Sequence, residues 1–369
     1  MKKRFNILTL LLFAVVVAFA QVRQERDYDK SFSVEENSKV EIVSKYGEVI
    51  VQTWDLDSVR FEVLVKAEGR NSSVVRKSME RVNIRFRKVG SIISAVTQVE
   101  NGSGFFGNLM NEVEGVVGPN NKLQVDYQVW IPENVDLSVE NKFGDVYLAD
   151  LSGKVDLDVS HGDIKGNHIE QTMNLKHSFG KASFGNVKDG MLTLRGSEFI
   201  ADEAGKLNFE SASSEIIIEK IDRIQFNSRN DKIRLAEVSE ITGEGSFTNL
   251  TTEYIGGSAR LDFAYGDIYL SRINRDFNSI DITGKSTDIN LVLDQASFIR
   301  TIIKGPEDKM ILPNSMLTMT KETFEEEGLI SLSGDVGNTN TRHSQLLIDA
   351  VGGELIIAIK DTPIFVDRD

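Results

Sequence analysis

The residues of this chain best suited to chemistry are its four histidines, because the chain contains no cysteine. They are His161, His168, His177 and His343. His161 and His177 fall at different positions of the repeat described below, so they do not share a column and a zinc site is not expected. Without cysteine there is no thiolate nucleophile or iron–sulfur ligand, and no Gly-x-Ser-x-Gly elbow occurs. The sequence therefore predicts no catalytic residues, no metal site and no cofactor.

Three carboxylates recur at one place in a repeated phrase, directly after a glycine. They are Asp145, Asp163 and Asp267. Asp145 and Asp163 lie one repeat apart, a spacing that could form a cation-binding step. Asp side chains also hydrogen-bond the backbone of tight turns. We favour this structural role over cation binding.

Aromatic residues form a second regular column, directly before the same glycine. Phe143, His161 and Phe179 hold this position on consecutive repeats, and Phe247 and Tyr265 hold it further along. Rings stacked about 5 Å apart stabilise the edge of a repeat array. Aromatic ladders can also bind sugars or peptides. Structural stacking is the favoured interpretation, and Phe143, His161 and Phe179 are also candidate binding residues.

A further pair of candidate binding residues lies in a segment rich in Gly and Asn, residues 101 to 121. Phe105 and Phe106 belong to this segment. Exposed aromatics in a loop can form a contact site. The favoured interpretation is an insertion whose apolar residues fold back on the neighbouring structure.

The elements that would position these residues follow from a phrase that recurs along the chain. If its glycine is numbered zero, equivalent residues follow one another at steps of 17 or 18, with one step of 21. The position-zero residues are Gly144, Gly162, Gly180, Ser197, Ser214, Asp231, Thr248, Gly266 and Thr287. All nine residues two after zero are apolar, and eight of the nine residues five before zero are large and apolar. Because the glycine is replaced while the apolar positions persist, the phrase marks a corner and not a catalytic motif.

The repeat predicts an all-β fold, a β-solenoid with coils of 17–18 residues. Apolar and polar residues alternate with the period of two that a half-buried strand needs. Each coil then reads strand, tight turn, strand, turn, and stacks on the next at about 4.8 Å. Two segments outside the regular run fit the same template, one around Gly47 and one around Gly353.

An insertion separates the early coil from the regular run. Trp54 to Lys66 alternates as a strand, Ser72 to Val82 has the apolar spacing of a short amphipathic helix, and further strands follow. We interpret this part as a small α+β cap near the N-terminus. The predicted organisation is a signal peptide at 1–20, a first coil at 21–53, the α+β cap or insertion at 54–135, the regular β-solenoid at 136–304, and C-terminal coils and a cap at 305–369.

The start of the chain has the features of an export signal. Lys2, Lys3 and Arg4 precede an apolar run that ends in the small-x-small site Ala18-Phe19-Ala20. No later segment is apolar enough to span a membrane. We therefore expect an exported bacterial protein, in the periplasm or on the cell surface, with no membrane span in the mature chain.

The charge of the chain bears on its partners. The formal net charge is −14, and removal of the basic start would make it more negative. This argues against nucleic acid, whose binding depends on Lys and Arg that neutralise phosphates.

The motifs together resemble the bacterial putative-adhesin family of exported β-strand-repeat proteins, a domain of unknown function. The resemblance rests on Gly47-Glu48-Val49-Ile50-Val51, Trp54-Asp55, Tyr127-Gln128-Val129-Trp130-Ile131-Pro132 and Asn141-Lys142-Phe143-Gly144-Asp145-Val146-Tyr147-Leu148. It covers most of the mature chain and implies a β-solenoid on the exported side of a bacterial envelope. It implies no activity and no catalytic residues.

Three functions remain open at this point. The favoured one is a non-enzymatic, adhesin-like envelope protein whose repetitive surface contacts a glycan, a protein or another copy of itself. The second is a polysaccharide-active enzyme of solenoid type, disfavoured because the repeat faces are acidic or mixed where acidic glycans would need basic residues. The third is an envelope-stress scaffold or sensor.

Overall fold

The structure, a computed structural model, describes residues 22–99, 121–294, 298–324, 328–337 and 344–360. In these ranges the chain is almost entirely β-strand, as predicted, with one α-helix. The helix is α1 (Ser72–Arg81). The strands are β1 (Val22–Ser33), β2 (Lys39–Lys45), β3 (Val49–Thr53), β4 (Ser58–Gly69), β5 (Val82–Val89), β6 (Ile92–Val99), β7 (Asn121–Ile131), β8 (Asp136–Lys142), β9 (Val146–Leu148), β10 (Val155–Ser160), β11 (Ile164–Lys165), β12 (His168–Ala212), β13 (Glu215–Arg229), β14 (Lys232–Ser246), β15 (Asn249–Ile273), β16 (Ser279–Asp294), β17 (Phe298–Pro306), β18 (Met310–Ile311), β19 (Thr320–Thr323), β20 (Leu329–Gly337), β21 (Ser344–Val351) and β22 (Leu355–Lys360).

Parallel pairing joins each repeat to the next in the register that the sequence alignment predicts. Ile164 pairs with Val146 on one side and with Ala182 on the other, 18 residues away in each direction. From β12 onward the step shortens, and Phe199 pairs with Ile216, 17 residues on. We call each repeat a rung; its two strand segments flank one corner, and both pair with the next rung.

The alternating pattern of the strands places one set of side chains inside the stack of rungs. The residues two after each corner form a continuous buried column in which no member is more than 1 % exposed. Burial of each large apolar side chain stabilises the fold by about 1.5–3 kcal/mol. The column comprises Val146, Ile164, Ala182, Phe199, Ile216, Ile233, Leu250, Ile268 and Ile289.

The early rung, β2 and β3, lies between two neighbours. On one side it pairs in parallel with β8 and β9, the start of the regular run. On the other side it pairs in parallel with β6 and β7, which come from the predicted insertion. These two strands therefore extend the stack by one rung, while β1, β4 and β5 pair antiparallel around it.

The helix of the insertion, α1, lies where the apolar spacing predicts it. Asn71 caps its N-terminus, because the Asn71 side chain accepts a hydrogen bond from the Ser73 backbone amide at 2.9 Å. Val75 and Met79, one turn apart, are buried. They lie on the face of the helix that packs mainly against β4 and β1.

The C-terminal strands do not stack in sequence order. The rung formed by β16 pairs with β21 and β22, so Ile282 pairs with Ile348 and Ile289 with Leu355. Strand β17 follows β16 in the chain, yet it lies beyond β21 and pairs antiparallel with β20. The late rung around Gly353 therefore stacks directly on the regular run.

Candidate functional site

The corner of each rung is built around a residue in the left-handed backbone conformation. This residue is the one before position zero, and its φ is positive on every rung from the early to the late one. Residues other than glycine rarely adopt such angles. The pairing of neighbouring rungs must therefore stabilise this backbone conformation. The residues are Tyr46, Phe143, His161, Phe179, Gly196, Ser213, Asn230, Phe247, Tyr265, Ser286 and Gly352.

On the rungs that have glycine at position zero, the close approach of neighbouring rungs explains it. A Cβ on Gly144 would overlap the carbonyl oxygen of Gly47, and one on Gly162 would overlap that of Gly144, far closer than the 3.0 Å that real Cβ atoms keep. The backbones are in contact here. This contact brings the side chains of the preceding position into a stack.

The aromatic column predicted from the spacing is a continuous stack of four rings. Ring centroids are 5.7 Å apart for Tyr46 and Phe143, 5.1 Å for Phe143 and His161, and 5.0 Å for His161 and Phe179, with interplanar angles of 8° to 12°. Tyr46 is an addition to the predicted column, although it precedes Gly47 in the same phrase. Phe143 and Phe179 are 39 % and 58 % exposed. We call these four residues the first ring stack.

A second, shorter stack occupies the same corner further along. Phe247 and Tyr265 lie 5.0 Å apart at 12° and are 61 % and 48 % exposed. Three rungs without a ring separate the two stacks. The corner therefore carries two exposed aromatic surfaces in line along the stack.

Two of the three carboxylates that follow the glycine, Asp145 and Asp163, accept hydrogen bonds from the backbone of the neighbouring rung. Asp145 Oδ1 accepts a hydrogen bond from the Asp163 amide at 2.8 Å, and Asp163 Oδ1 accepts one from the Lys181 amide at 2.8 Å. These bonds link rungs, whereas the sequence suggested bonds within one turn. Such bonds do not require a cation.

Inside the corner, polar side chains satisfy backbone carbonyls. The Asn141 side-chain amide, fully buried, donates to the carbonyl oxygens of Gly47 at 3.0 Å and Gly144 at 2.8 Å. His177 holds the equivalent place two rungs on, also fully buried, with Nε2 2.9 Å from the Gly162 oxygen. The two side chains perform the same structural task, which the sequence did not reveal.

Burial of His177 makes the stability of the fold dependent on pH. Removal from water lowers the pKa of this imidazole, against a smaller opposing effect of its bond to the Gly162 carbonyl. The unfolded state therefore binds more protons, so His177 favours the folded state above about pH 6.5 and costs stability progressively below it. We expect His177→Asn, which copies Asn141, to lose less stability than the wild type between pH 7.5 and 5.5 in thermal unfolding. Equal losses in the two proteins would contradict this role.

The remaining candidates are not brought into a common site. His168 is exposed, and its backbone amide donates to Asp150 Oδ1 at 3.1 Å. His343, Phe105 and Phe106 lie outside the described residues. Across the part of the chain that the structure describes, there is no group of three or more His, Asp or Glu placed to hold a metal ion.

Comparison with known proteins finds likeness among solved structures. No protein-family model and no curated protein matches the chain. A crystal structure of a putative adhesin from Parabacteroides merdae is similar over 72% of this chain and 95% of its own, with 12% identity and a TM-score of 0.35. A putative adhesin from Parabacteroides distasonis is similar over 72% and 97%, with 14% identity and a TM-score of 0.31.

A third structure has a different name. A putative lipid binding protein from Parabacteroides distasonis is similar over 72% of this chain and 97% of its own, with 11% identity and a TM-score of 0.33. Because identities and TM-scores are low throughout, the function has to be inferred from the residues of this chain. Two of the three structures are named as putative adhesins, the family that the motifs around Gly47, Trp130 and Gly144 resemble. The chain is therefore similar to bacterial putative adhesins.

Proposed function

We propose that this protein is a non-enzymatic contact protein of the bacterial envelope, whose rungs wind as a β-solenoid and hold aromatic rings on one surface corner. The observation that carries the proposal is the first ring stack. The stack is a regular ladder in which Phe143, His161 and Phe179 are exposed to solvent and Tyr46 is half-buried against the core. The proposed solenoid has four parts: a first coil at 21–53, an α+β insertion at 54–135, a regular run at 136–304 and the C-terminal coils and cap at 305–369.

The stack is suited to contact because its rings are held in place before any partner arrives. Each ring sits on a corner whose backbone is fixed by pairing on both sides, so little conformational freedom is lost on binding. Rings are apolar on their faces and provide large contact area. A glycan or an envelope protein with matching flat apolar surface is the partner we propose.

The proposed location follows from the sequence start and the charge. The basic start, the apolar run and the site at Ala18-Phe19-Ala20 support export, to the periplasm or the cell surface. The one α-helix in the described ranges, α1, has ten residues and is too short and too polar to cross a bilayer. The excess of acidic residues supports a partner other than nucleic acid.

Binding of the purified exported chain to a glycan array and to bacterial envelope fractions tests the contact function. We expect saturable binding by the wild type and at least a tenfold loss in the double variant Phe143→Ala, Phe179→Ala, because the stack loses two of its exposed rings. Tyr269→Ala removes a ring of similar exposure away from the corner and is the matched control. It should bind as the wild type does.

Two results would contradict the proposal. One is wild-type binding by the double variant while both proteins unfold at comparable temperatures. The other is release of reducing ends from polysaccharides by the purified chain, which would indicate an enzyme.

A further inference from the structure

The corner between the two ring stacks is a trough with aromatic ends. Gly196, Ser213 and Asn230 hold the ring position on three consecutive rungs, between Phe179 and Phe247. Four steps from Phe179 to Phe247 at the usual strand spacing make the trough roughly 19 Å long. A surface depression of about 410 Å³ occupies its middle part, between the two rings, and its lining includes Gly196, Glu198, Ser213, Glu215 and Asn230.

The ring at one end of the trough has a face that no side chain covers. Phe179 stacks on His161 on one side, and on the other side its neighbour is Gly196. A Cβ on Gly196 would lie 3.2 Å from two atoms of the Phe179 ring. One edge of the ring therefore lies against Gly196, and the rest of this face is left without a side chain over it, in keeping with the 58 % exposure of Phe179. At the far end, Phe247 stacks on Tyr265 and is 61 % exposed, and Asn230 holds the ring position on the neighbouring rung of the trough.

The floor and one wall of the trough are polar. The Asn230 side-chain amide donates to Ser213 Oγ at 3.2 Å, and both residues are exposed. Glu198 pairs with Lys181 at 3.3 Å and Glu215 pairs with Arg234, both at the exposed surface. The lining therefore offers donors and acceptors between two flat apolar ends.

We propose that this trough binds a carbohydrate chain lying along the corner. A pyranose ring has an apolar C–H face and a rim of hydroxyl groups. The face can stack on the uncovered part of Phe179 above Gly196 and on the exposed part of Phe247, while the hydroxyl groups bond to the Ser213, Asn230 and Glu side chains. A nucleic acid would also stack, but the net charge of −14 opposes its phosphates.

This inference rests on the proposed contact function and is tested by filling the trough. Ser213→Phe adds a ring in its middle; Phe143, Phe179 and Phe247 already adopt the same backbone conformation at this position, with φ of 54° to 62°. The full chain is titrated with a panel of soluble neutral and acidic oligosaccharides. We expect wild-type binding to at least one member, and a loss of tenfold or more in Ser213→Phe and in Phe247→Ala. Tyr269→Ala should bind as the wild type does.

The outcomes separate this inference from the contact function. If Ser213→Phe and Phe247→Ala bind oligosaccharides as the wild type does, the trough is not the binding site. Loss of binding in the double variant Phe143→Ala, Phe179→Ala would in that case still support contact through the corner. If no member of the panel binds the wild type while envelope protein does, the ligand is not a carbohydrate. Both results overturn the inference. Thermal unfolding of each variant checks that the fold is retained.

Discussion

Gly144→Ala is expected to destabilise the protein by about 3 kcal/mol or more, as large as the severe cases of overpacking. The added Cβ would overlap the carbonyl oxygen of Gly47. That atom belongs to backbone fixed by pairing on both sides, so it cannot move away as a flexible side chain would. The rungs must separate at the corner, which breaks the parallel pairing of Val49 with Val146 and disturbs the stacking of Tyr46 on Phe143.

The measurement is the free energy of unfolding in denaturant, with Gly256→Ala as the matched control. A Cβ on Gly256 would have its nearest neighbours at 3.7 Å and 3.8 Å, which is ordinary contact. Its effect should stay within about 0.5 kcal/mol. If Gly144→Ala is as stable as Gly256→Ala, close approach is not the reason for the glycine.

Asp231→Ala is expected to cost about 3 kcal/mol, because it removes the acceptor for four buried or half-buried donors. Asp231 is 3 % exposed and stands at position zero, where other rungs have glycine. Its carboxylate accepts hydrogen bonds from Ser211 Oγ and Ser228 Oγ, both at 2.6 Å, and from the amides of Ser214 at 2.6 Å and Arg229 at 3.1 Å. Alanine removes this acceptor from all four groups, and Ser228 Oγ keeps only its contact with Thr248 Oγ1 at 2.9 Å.

Two further variants make this test specific. Asp231→Asn should lose less stability, since a side-chain amide keeps one acceptor and the serine hydroxyls can turn to accept from it. Asp222→Ala, at an exposed position, should change the free energy of unfolding by no more than about 0.5 kcal/mol. An Asp231→Ala protein within 1 kcal/mol of the wild type would show that these bonds contribute little.

The stacking order of the rungs could be read from the sequence wherever a rung follows the previous one along the chain. Strand alternation fixes which side chains face inward, and the corner phrase fixes the register, so the pairing of Ile164 with Ala182 follows from their spacing. The placement of β17 beyond β21 could not be predicted from the sequence, because it depends on pairing between segments far apart in the chain.

The aromatic column could be predicted from the sequence for the same reason, whereas the buried polar side chains of the corner could not. Equal spacing predicts that Phe143, His161 and Phe179 form a column. The left-handed backbone at that position is indicated in the sequence only by Gly196, Asn230 and Gly352, the members of the column whose types favour it. The burial of Asn141, His177 and Asp231 conflicts with the usual exposure of such residues and is explained only by backbone groups that fold next to them.

The most direct test of the account is to locate bound ligand on the full chain by hydroxyl-radical footprinting, with the oligosaccharide of the panel that binds best as the probe. We predict that protection is concentrated at Phe179 and Phe247, with Tyr269 and Met191 unchanged on binding. Protection at Tyr269 or Met191 with none at the corner, or binding by no oligosaccharide, would contradict the claim that the aromatic corner is the carbohydrate contact surface.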